Sequence, residues 1–436
     1  MSTATIRASS DADQSRTAVG RWRPLKTINR LEFPVVMHDI IKFCAWAASY
    51  LAPFTFALLI GCGGAAHVSM HRVTSAPALA GTYASFIDAA DDLNTTQMAL
   101  LARTRNEMAF AEALSHYEAG ELERTVGTLA AVARNGGPVA SRSGELRSSA
   151  LLLLERWSEL AASGEQDATA VTEAVRGVPR RTATWAHVAS VPIEFSIAGG
   201  PVVATRVNQR TSELWIDSGS SMTVLSQAVA KDASVRMRAR AVATFGASGD
   251  GEHVGVGVGL LDELTVAGGT VRHLPVALAG PDLMEFKILF ITLVEVEGIL
   301  GWDVLKSYDV TIDYARARLT LHQLMPCQDE APLIWFGLPI VRARAPDGQP
   351  LLLGIDTGAS RSYLTNRGAR KLGTAPGPKT FFVGKTALTF QGIALKPSPR
   401  NDRVLDGVLG SDAFKGASLR LNMPQRCAAI WPVPER

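Results

Sequence analysis

LWIDSGS, at Leu214–Ser220, is the stretch that decides the fold, because LGIDTGA at Leu353–Ala359 repeats it. In each copy, an apolar run typical of a strand ends in an Asp-(Ser/Thr)-Gly-(Ser/Ala) element. An apolar-apolar-Gly element follows in the same order, within Gly298–Lys306 and Gly407–Lys415. One such Asp tetrapeptide arises by chance in roughly a few per cent of chains of this length, but two matched sets indicate an internal repeat. The alternative is a repeated structural hairpin with an Asx turn.

The chemistry of the repeat lies in a carboxylate, a hydroxyl and a glycine at the end of each strand. The strand end fixes the carboxylate, the glycine lets two loops approach closely because it has no Cβ, and the hydroxyl can hydrogen-bond to the opposite loop. The candidate catalytic residues are Asp217 and Asp356. The residues predicted to support this dyad are Ser218, Gly219, Ser220, Thr357, Gly358 and Ala359.

These motifs resemble those of the aspartic protease superfamily. Each Asp motif looks like that of a retropepsin, whereas two copies in one chain look like the covalent duplication of pepsin. The resemblance covers roughly residues 185 to 436 and implies a mainly β, two-lobed fold with a closed β-barrel-like lobe in each half. It also implies hydrolysis of peptide or protein substrates in the cleft between the lobes. Because one chain carries both Asp residues, a dimer is not required to complete the site.

In aspartic proteases, two carboxylates about 3 Å apart share one proton because they do not easily ionise together. The resemblance implies that one Asp acts as general base on a water molecule while the other, protonated, hydrogen-bonds the scissile carbonyl. The pKa values belong to the pair, so the two roles are not assigned to individual residues. This mechanism uses no metal, cofactor or covalent intermediate, and we expect activity to favour acidic to mildly acidic pH.

A long hairpin is expected between Asp217 and Gly301, with its tip at Phe245–Gly251 and a returning strand in which valines at 254, 256 and 258 alternate with glycines. We interpret it as the flap over the cleft, where glycines supply mobility; an ordinary glycine-rich hairpin is the alternative. The predicted flap residues are Phe245, Gly246, Ala247, Ser248 and Gly249. The shorter interval after Asp356 predicts no flap, or a stub, in the second lobe.

The last strand of the second lobe is expected to be irregular. Its sequence at Leu419–Pro424 diverges from the counterpart at Val310–Ala315.

Ahead of the repeat, residues 1–42 form a basic tail and residues 43–66 carry no charge. An apolar run of this length suits a membrane span or a secretion signal, and the basic flank would stay in the cytoplasm. Cys62 ends a stretch, LIGC, that resembles a bacterial lipobox. The segment is thus a transmembrane anchor or a lipoprotein signal with lipidation at Cys62. Both alternatives place a membrane-anchored catalytic part in the periplasm of the bacterial cell envelope.

Residues 67–180 are predicted to be α-helical, since residues 80 to about 178 are rich in Ala, Leu, Glu and Arg with apolar spacings of three and four. Residues 113–133 are similar to one tetratricopeptide-type hairpin, with an ordinary helical bundle as the alternative. From about residue 184, short Val- and Ile-rich runs indicate an all-β region. We divide it into a first lobe with the flap, 181–325, and a second lobe, 326–436.

Composition excludes several other classes. A net charge of +3 does not indicate the basic surface that nucleic-acid binding requires. The four cysteines show no Cys-x-x-Cys spacing that would indicate a zinc site. Cys327 and Cys427 could form a disulfide in the periplasm or remain buried free thiols.

Two functions remain open from the sequence. The first is an active endopeptidase, and the alternative is a catalytically weak protease-fold module that binds peptides or protein partners. An intramembrane protease is disfavoured, because the apolar segment contains no acidic residue.

Overall fold

The computed structural model describes residues 68–433 apart from 81, 165, 186–187, 197–198, 246–251, 289–290, 323, 329, 376 and 398–403. The predicted basic tail, the apolar segment 43–66 and Cys62 lie outside these residues. Within the described part of the chain, no helix is both long and apolar enough to cross a bilayer.

The described part of 67–180 is helical from residue 86 onward, but it opens with an unpredicted strand, β1 (Val68–Arg72). Seven helices follow: α1 (Phe86–Asp91), α2 (Thr95–Leu101), α3 (Arg105–Ala119), α4 (Leu122–Val132), α5 (Pro138–Leu153), α6 (Trp157–Ala162) and α7 (Gln166–Ala174). A capping box between Thr104 and Glu107 starts α3, and Gly120 ends it in the left-handed conformation. Since α3, α4 and α5 all contact one another, the α3–α4 hairpin belongs to a larger packed group. We call Phe86–Ala174 the helical segment.

The first lobe is built on a nine-stranded sheet. Its elements are β2 (Thr182–Trp185), β4 (Glu194–Phe195), β5 (Pro201–Val207), β6 (Arg210–Ile216), β7 (Val224–Ser226), α8 (Gln227–Asp232), β8 (Met237–Phe245), β9 (Glu252–Val266), β10 (Gly269–Ala279) and β13 (Gly298–Leu300). A short helix α9 (Pro281–Met284) and a small hairpin, β11 (Glu285–Ile288) with β12 (Ile291–Glu295), precede β13, and α10 (Trp302–Leu305) follows it.

The second lobe repeats the central part of this order. Its elements are β17 (Pro339–Arg344), β18 (Pro350–Ile355), β19 (Tyr363–Leu364), α11 (Asn366–Leu372), β20 (Lys379–Val383), β21 (Thr386–Phe390), β22 (Ala394–Leu395) and β23 (Gly407–Leu409). A 3₁₀ turn at Ser411–Phe414 stands where α10 stands in the first lobe. The outer edge of β21 pairs with β1 across Val68↔Phe390, so the strand that precedes the helices belongs to this lobe.

Six antiparallel strands join the two lobes in the order β3-β15-β14-β24-β25-β16. They are β3 (Ala189–Pro192), β14 (Asp309–Asp313), β15 (Arg318–His322), β16 (Ala331–Trp335), β24 (Ala417–Asn422) and β25 (Cys427–Pro432). The expected irregularity at the end of the second lobe is wrong: β24 is a regular strand that pairs with its counterpart β14 across Thr311↔Arg420. The divergent residues fit because Leu419 and Leu421 are buried in the core, while Arg420 forms an ion pair with Asp309.

A disulfide links Cys327 to Cys427, with 6.1 Å between their Cα atoms. It ties the connection between the lobes to the first residue of β25. Of the two alternatives that the sequence left open for these cysteines, the structure has the disulfide.

Candidate active site

Each predicted catalytic Asp directly follows a strand whose last residue, Ile216 or Ile355, is fully buried. Asp217 follows β6 and Asp356 follows β18. The strands of the two apolar-Gly elements lie parallel beside them, with Leu300 opposite Ile216 and Leu409 opposite Ile355. The backbone N–H groups of Asp217 and Asp356 donate to the carbonyls of Leu300 and Leu409, both at 3.0 Å. The four repeated elements of the sequence are therefore held together in two equivalent pairs.

The hydroxyls of Ser218 and Thr357 cross between the loops. Ser218 Oγ donates to the Ile355 carbonyl at 2.8 Å and accepts from the Thr357 N–H at 3.1 Å. In the mirror arrangement, Thr357 Oγ1 donates to the Ile216 carbonyl at 2.7 Å and accepts from the Ser218 N–H at 3.0 Å. Both residues are fully buried. Because these four bonds need both loops at once, they fix the position of one Asp relative to the other.

Two glycines allow the loops to come this close. A Cβ added to Gly219 would lie 2.7 Å from Asp356 Cγ, and a Cβ added to Gly358 would lie 2.4 Å from Asp217 Cγ. Neither position tolerates a side chain without displacing a carboxylate. The two carboxylates therefore face each other across a gap that only glycine leaves open.

Residues 203–307 match the family model described as "gag-polyprotein putative aspartyl protease", a retropepsin-like aspartyl protease domain. The matched stretch contains the Asp217 loop and the first apolar-Gly element, whereas Asp356 lies beyond it. No curated protein gives a significant match to the chain. The match supports a protease-type function, a hydrolase and a peptide substrate for the aspartyl protease domain.

Backbone donors orient the carboxylates of Asp217 and Asp356. Asp217 Oδ1 accepts from Gly219 and Ser220 at 2.8 and 3.1 Å, and Asp356 Oδ1 accepts from Gly358 and Ala359 at 3.0 and 2.9 Å. All six predicted supporting residues thus lie at the pair: four donate to a carboxylate, and Ser218 and Thr357 cross between the loops.

Burial raises the pKa of both carboxyl groups, and the proximity of Asp217 raises that of Asp356 further. Burial is the main cause for each, because it disfavours the ionised form. The negative charge of Asp217 adds to burial and raises the pKa of Asp356 to about 8. The raised pKa of Asp356 lets its carboxyl group keep a proton at neutral pH.

A second layer of side chains supports each Asp loop, and the sequence reading missed it. Asp303 accepts from the N–H and hydroxyl of Thr223 at 2.9 and 2.7 Å. Asp412 accepts from the N–H and hydroxyl of Ser362 at 2.8 and 2.6 Å. The signal was present, because both hydroxyl residues stand six positions after the catalytic Asp and both carboxylates stand two positions after the glycine that ends the apolar-Gly element.

The hairpin interpreted as the flap exists as β8 paired with β9, from Met237↔Gly259 to Phe245↔Glu252. Gly246, Ala247, Ser248 and Gly249 lie outside the described residues, so their role as the flap tip stays a prediction. In the second lobe, the corresponding hairpin of β20 and β21 is short, with Val383 paired to Thr386.

In the described parts of the chain, no group of His, Cys, Asp and Glu side chains is arranged to hold a metal ion.

Proposed function

We propose that the chain is an aspartic endopeptidase whose dyad is Asp217 and Asp356. The observation that carries this proposal is the set of four crossed hydrogen bonds through Ser218 and Thr357. These bonds hold two carboxylates face to face in one chain, which is the arrangement that water activation requires. A second copy of the chain is not needed to build the site.

In the proposed mechanism, the dyad enters the reaction with one proton. The ionised carboxylate takes a proton from a bound water as the water oxygen bonds to the scissile carbonyl carbon. The protonated carboxyl donates a hydrogen bond to the carbonyl oxygen, where negative charge develops. Collapse of the tetrahedral species breaks the C–N bond, and the leaving amine takes up a proton from the dyad. The backbone donors at Gly219, Ser220, Gly358 and Ala359 keep both carboxylates in place throughout.

We also propose that the catalytic part lies outside the cytoplasm, tethered by residues 43–66 or by a lipid on Cys62. The disulfide between Cys327 and Cys427 supports an oxidising compartment. Palmitate labelling of cells that express the wild type or Cys62→Ser tests the form of the tether. Equal labelling of the two proteins would contradict the lipid, and release of the protein from membranes after deletion of residues 43–66 would support either tether.

The decisive experiment for the activity is hydrolysis of a mixed peptide library by the purified full chain between pH 3 and 9. Asp217→Asn and Asp356→Asn should each abolish cleavage, because an amide cannot share the proton. Asp347→Asn is the matched control, since Asp347 lies in an exposed turn and should leave the rate unchanged. A folded wild type that cleaves nothing would favour the alternative, a peptide-binding module.

A further inference from the structure

The helical segment covers the back of the strand that leads to Asp356. Leu352 on β18 is fully buried and packs with Ile340 and Val408 against the helices, in one apolar cluster with Leu114 and Tyr117. This cluster lies on the face of the sheet opposite to the lobe interior, where Leu351, Leu353 and Ile355 point. The sheet of the second lobe is therefore apolar on both faces.

The first lobe shows what this position looks like without helices. Leu353 pairs with Gly407 as Leu214 pairs with Gly298, so the counterpart of Leu352 is Glu213. Glu213 is exposed to solvent. One lobe thus presents a charged side chain to water where the other buries a leucine under the helical segment. This difference indicates that the helical segment covers Leu352 permanently. If the active protein exposed this surface to water, we would expect a polar residue there, as in the first lobe.

A buried ion cluster completes the contact. Asp406 accepts from the Leu352 N–H at 2.8 Å and forms ion pairs with Lys371 at 2.9 Å and Arg367 at 3.5 Å. Asp92 of the helical segment contacts the same Lys371 at 2.6 Å and the same Arg367. The cluster balances two carboxylates with two cations. Without Asp92, one carboxylate would face two largely buried cations, an arrangement that is costly in a protein interior.

The segment is also attached to the first lobe. Glu155, which follows α5, forms ion pairs with Arg181 at 2.9 Å and Lys306 at 3.1 Å. Arg181 in turn donates to the Asp303 carbonyl. The carboxylate of Asp303 accepts from the Thr223 hydroxyl and so supports the Asp217 loop from behind.

Helix α7 adds an apolar contact with the first lobe. Ala170, Val171 and Ala174 pack on Ala239 and Val258 of the β8–β9 hairpin. The helical segment therefore contacts the supports of both Asp loops and the hairpin interpreted as the flap.

We propose that the helical segment remains in the active protease as a support of the Asp356 loop, and is not a propeptide removed on activation. Leu352 and Asp406 act as positioning residues, since they connect the helices to the strand that ends at Asp356. This inference rests on the proposed function, because the position of Asp356 matters for hydrolysis only if the dyad is catalytic.

The first test cuts the chain without removing any contact. A recognition sequence for a site-specific protease is inserted between Gly177 and Val178, in the exposed connection that follows α7. After cutting, the two fragments should elute together in gel filtration, and kcat/KM should stay within about twofold of the uncut protein. Dissociation with loss of activity that returns on adding the fragment back would also support the proposal. Dissociation with equal or higher activity would overturn it.

The second test uses matched positions in the two lobes. Leu352→Ser should lower kcat by about 10- to 100-fold with KM changed less than about threefold, because a displaced catalytic group slows the chemical step without weakening substrate binding. Glu213→Ser should change neither constant. Equal effects of the two substitutions would overturn the positioning role, and the cut wild-type chain decides the matter if Leu352→Ser does not fold.

Failure of the proposed function can be told apart from failure of this inference. If the uncut chain hydrolyses no peptide, the proposed function fails, and amide hydrogen exchange at Asp356–Ala359 still tests the support. Faster exchange after the helical fragment is removed, by urea if necessary, supports the inference, and unchanged exchange refutes it.

Discussion

Replacing Thr357 by valine tests whether the crossed hydroxyls fix the dyad. The substitution keeps the β-branched shape and removes only the polar contacts of Oγ1. Two buried groups lose their partner at once: the Ile216 carbonyl, 2.7 Å away, and the Ser218 N–H, 3.0 Å away. Each orphaned buried group costs about 1–3 kcal/mol. The free energy of unfolding should therefore fall by about 2–6 kcal/mol.

Thr357→Val should also lower the activity of the molecules that remain folded. With the loops no longer tied together, the two carboxylates lose their fixed separation, and kcat should fall by at least about tenfold while KM changes little. Urea unfolding and steady-state hydrolysis of one chosen peptide give the two quantities. Hydrolysis is measured without urea and well below the Tm of the variant, so that unfolded protein does not contribute to the loss of activity.

Thr205→Val is the matched control. Thr205 is also a buried threonine, and its hydroxyl makes one hydrogen bond, 3.0 Å to the Ser212 carbonyl, five residues before Asp217. This substitution should cost about 1–3 kcal/mol of stability and leave kcat unchanged. If Thr357→Val and Thr205→Val lower stability and kcat to the same extent, the crossed bonds have no special role and the reasoning is refuted.

Four further results are expected. Because burial and the neighbouring charge raise the pKa of Asp356 to about 8, hydrolysis should persist at pH 7 and decline above about pH 8, a wider range than the acidic one expected from the sequence, and a pH–rate profile that already declines between pH 5 and 6 would contradict this raised pKa. The pKa of Asp356 in the folded protein, about 8, lies above its ordinary value of 3.8, so the native state keeps a proton that the unfolded chain releases. The free energy of unfolding should therefore fall as pH rises between these two pKa values. Asp356→Asn should make Tm less dependent on pH, and an unaltered dependence would argue against a protonated dyad. Gly219→Ala should abolish activity because its Cβ would lie 2.7 Å from Asp356 Cγ, whereas Gly392→Ala, with no atom within 4 Å, should retain it; a fully active Gly219→Ala would mean that the loops are not in close contact. Replacing Cys327 and Cys427 by serine should lower the free energy of unfolding by up to about 4–5 kcal/mol, as expected for a closed loop of 100 residues, and an unchanged urea midpoint would show that the bond adds no stability.

The sequence was informative where short stretches repeat. Two matched Asp elements and two apolar-Gly elements determined which four segments lie together, because matched elements take the same places in both copies of a duplicated unit. The hairpin at β8 and β9 was also predictable from alternation and glycines. These features are local: each repeated element is read from fewer than ten consecutive residues, and the hairpin is read from one continuous stretch.

The contacts between distant segments could not be read in this way. Strand β1 is five residues long and its partner lies more than 300 residues further along the chain, so no local pattern distinguishes it from an extended linker. Leu352 looked like one more apolar strand residue, and only the sheet register reveals that it faces the helices and has Glu213 as its counterpart. The regularity of β24 was missed because backbone hydrogen bonds form its ladder with β14, and these tolerate side chains that differ between the copies.

The disulfide has a consequence for the lifetime of the protein. Cys327 and Cys427 close the chain into a covalent ring that contains Asp356 and nearly all of the second lobe. A cut at any one peptide bond in this ring leaves both new ends attached, so a single nick cannot release a fragment. For a protein proposed to be an endopeptidase, which encounters further copies of itself, the ring confers tolerance of accidental cleavage that does not depend on how tightly the lobe is folded.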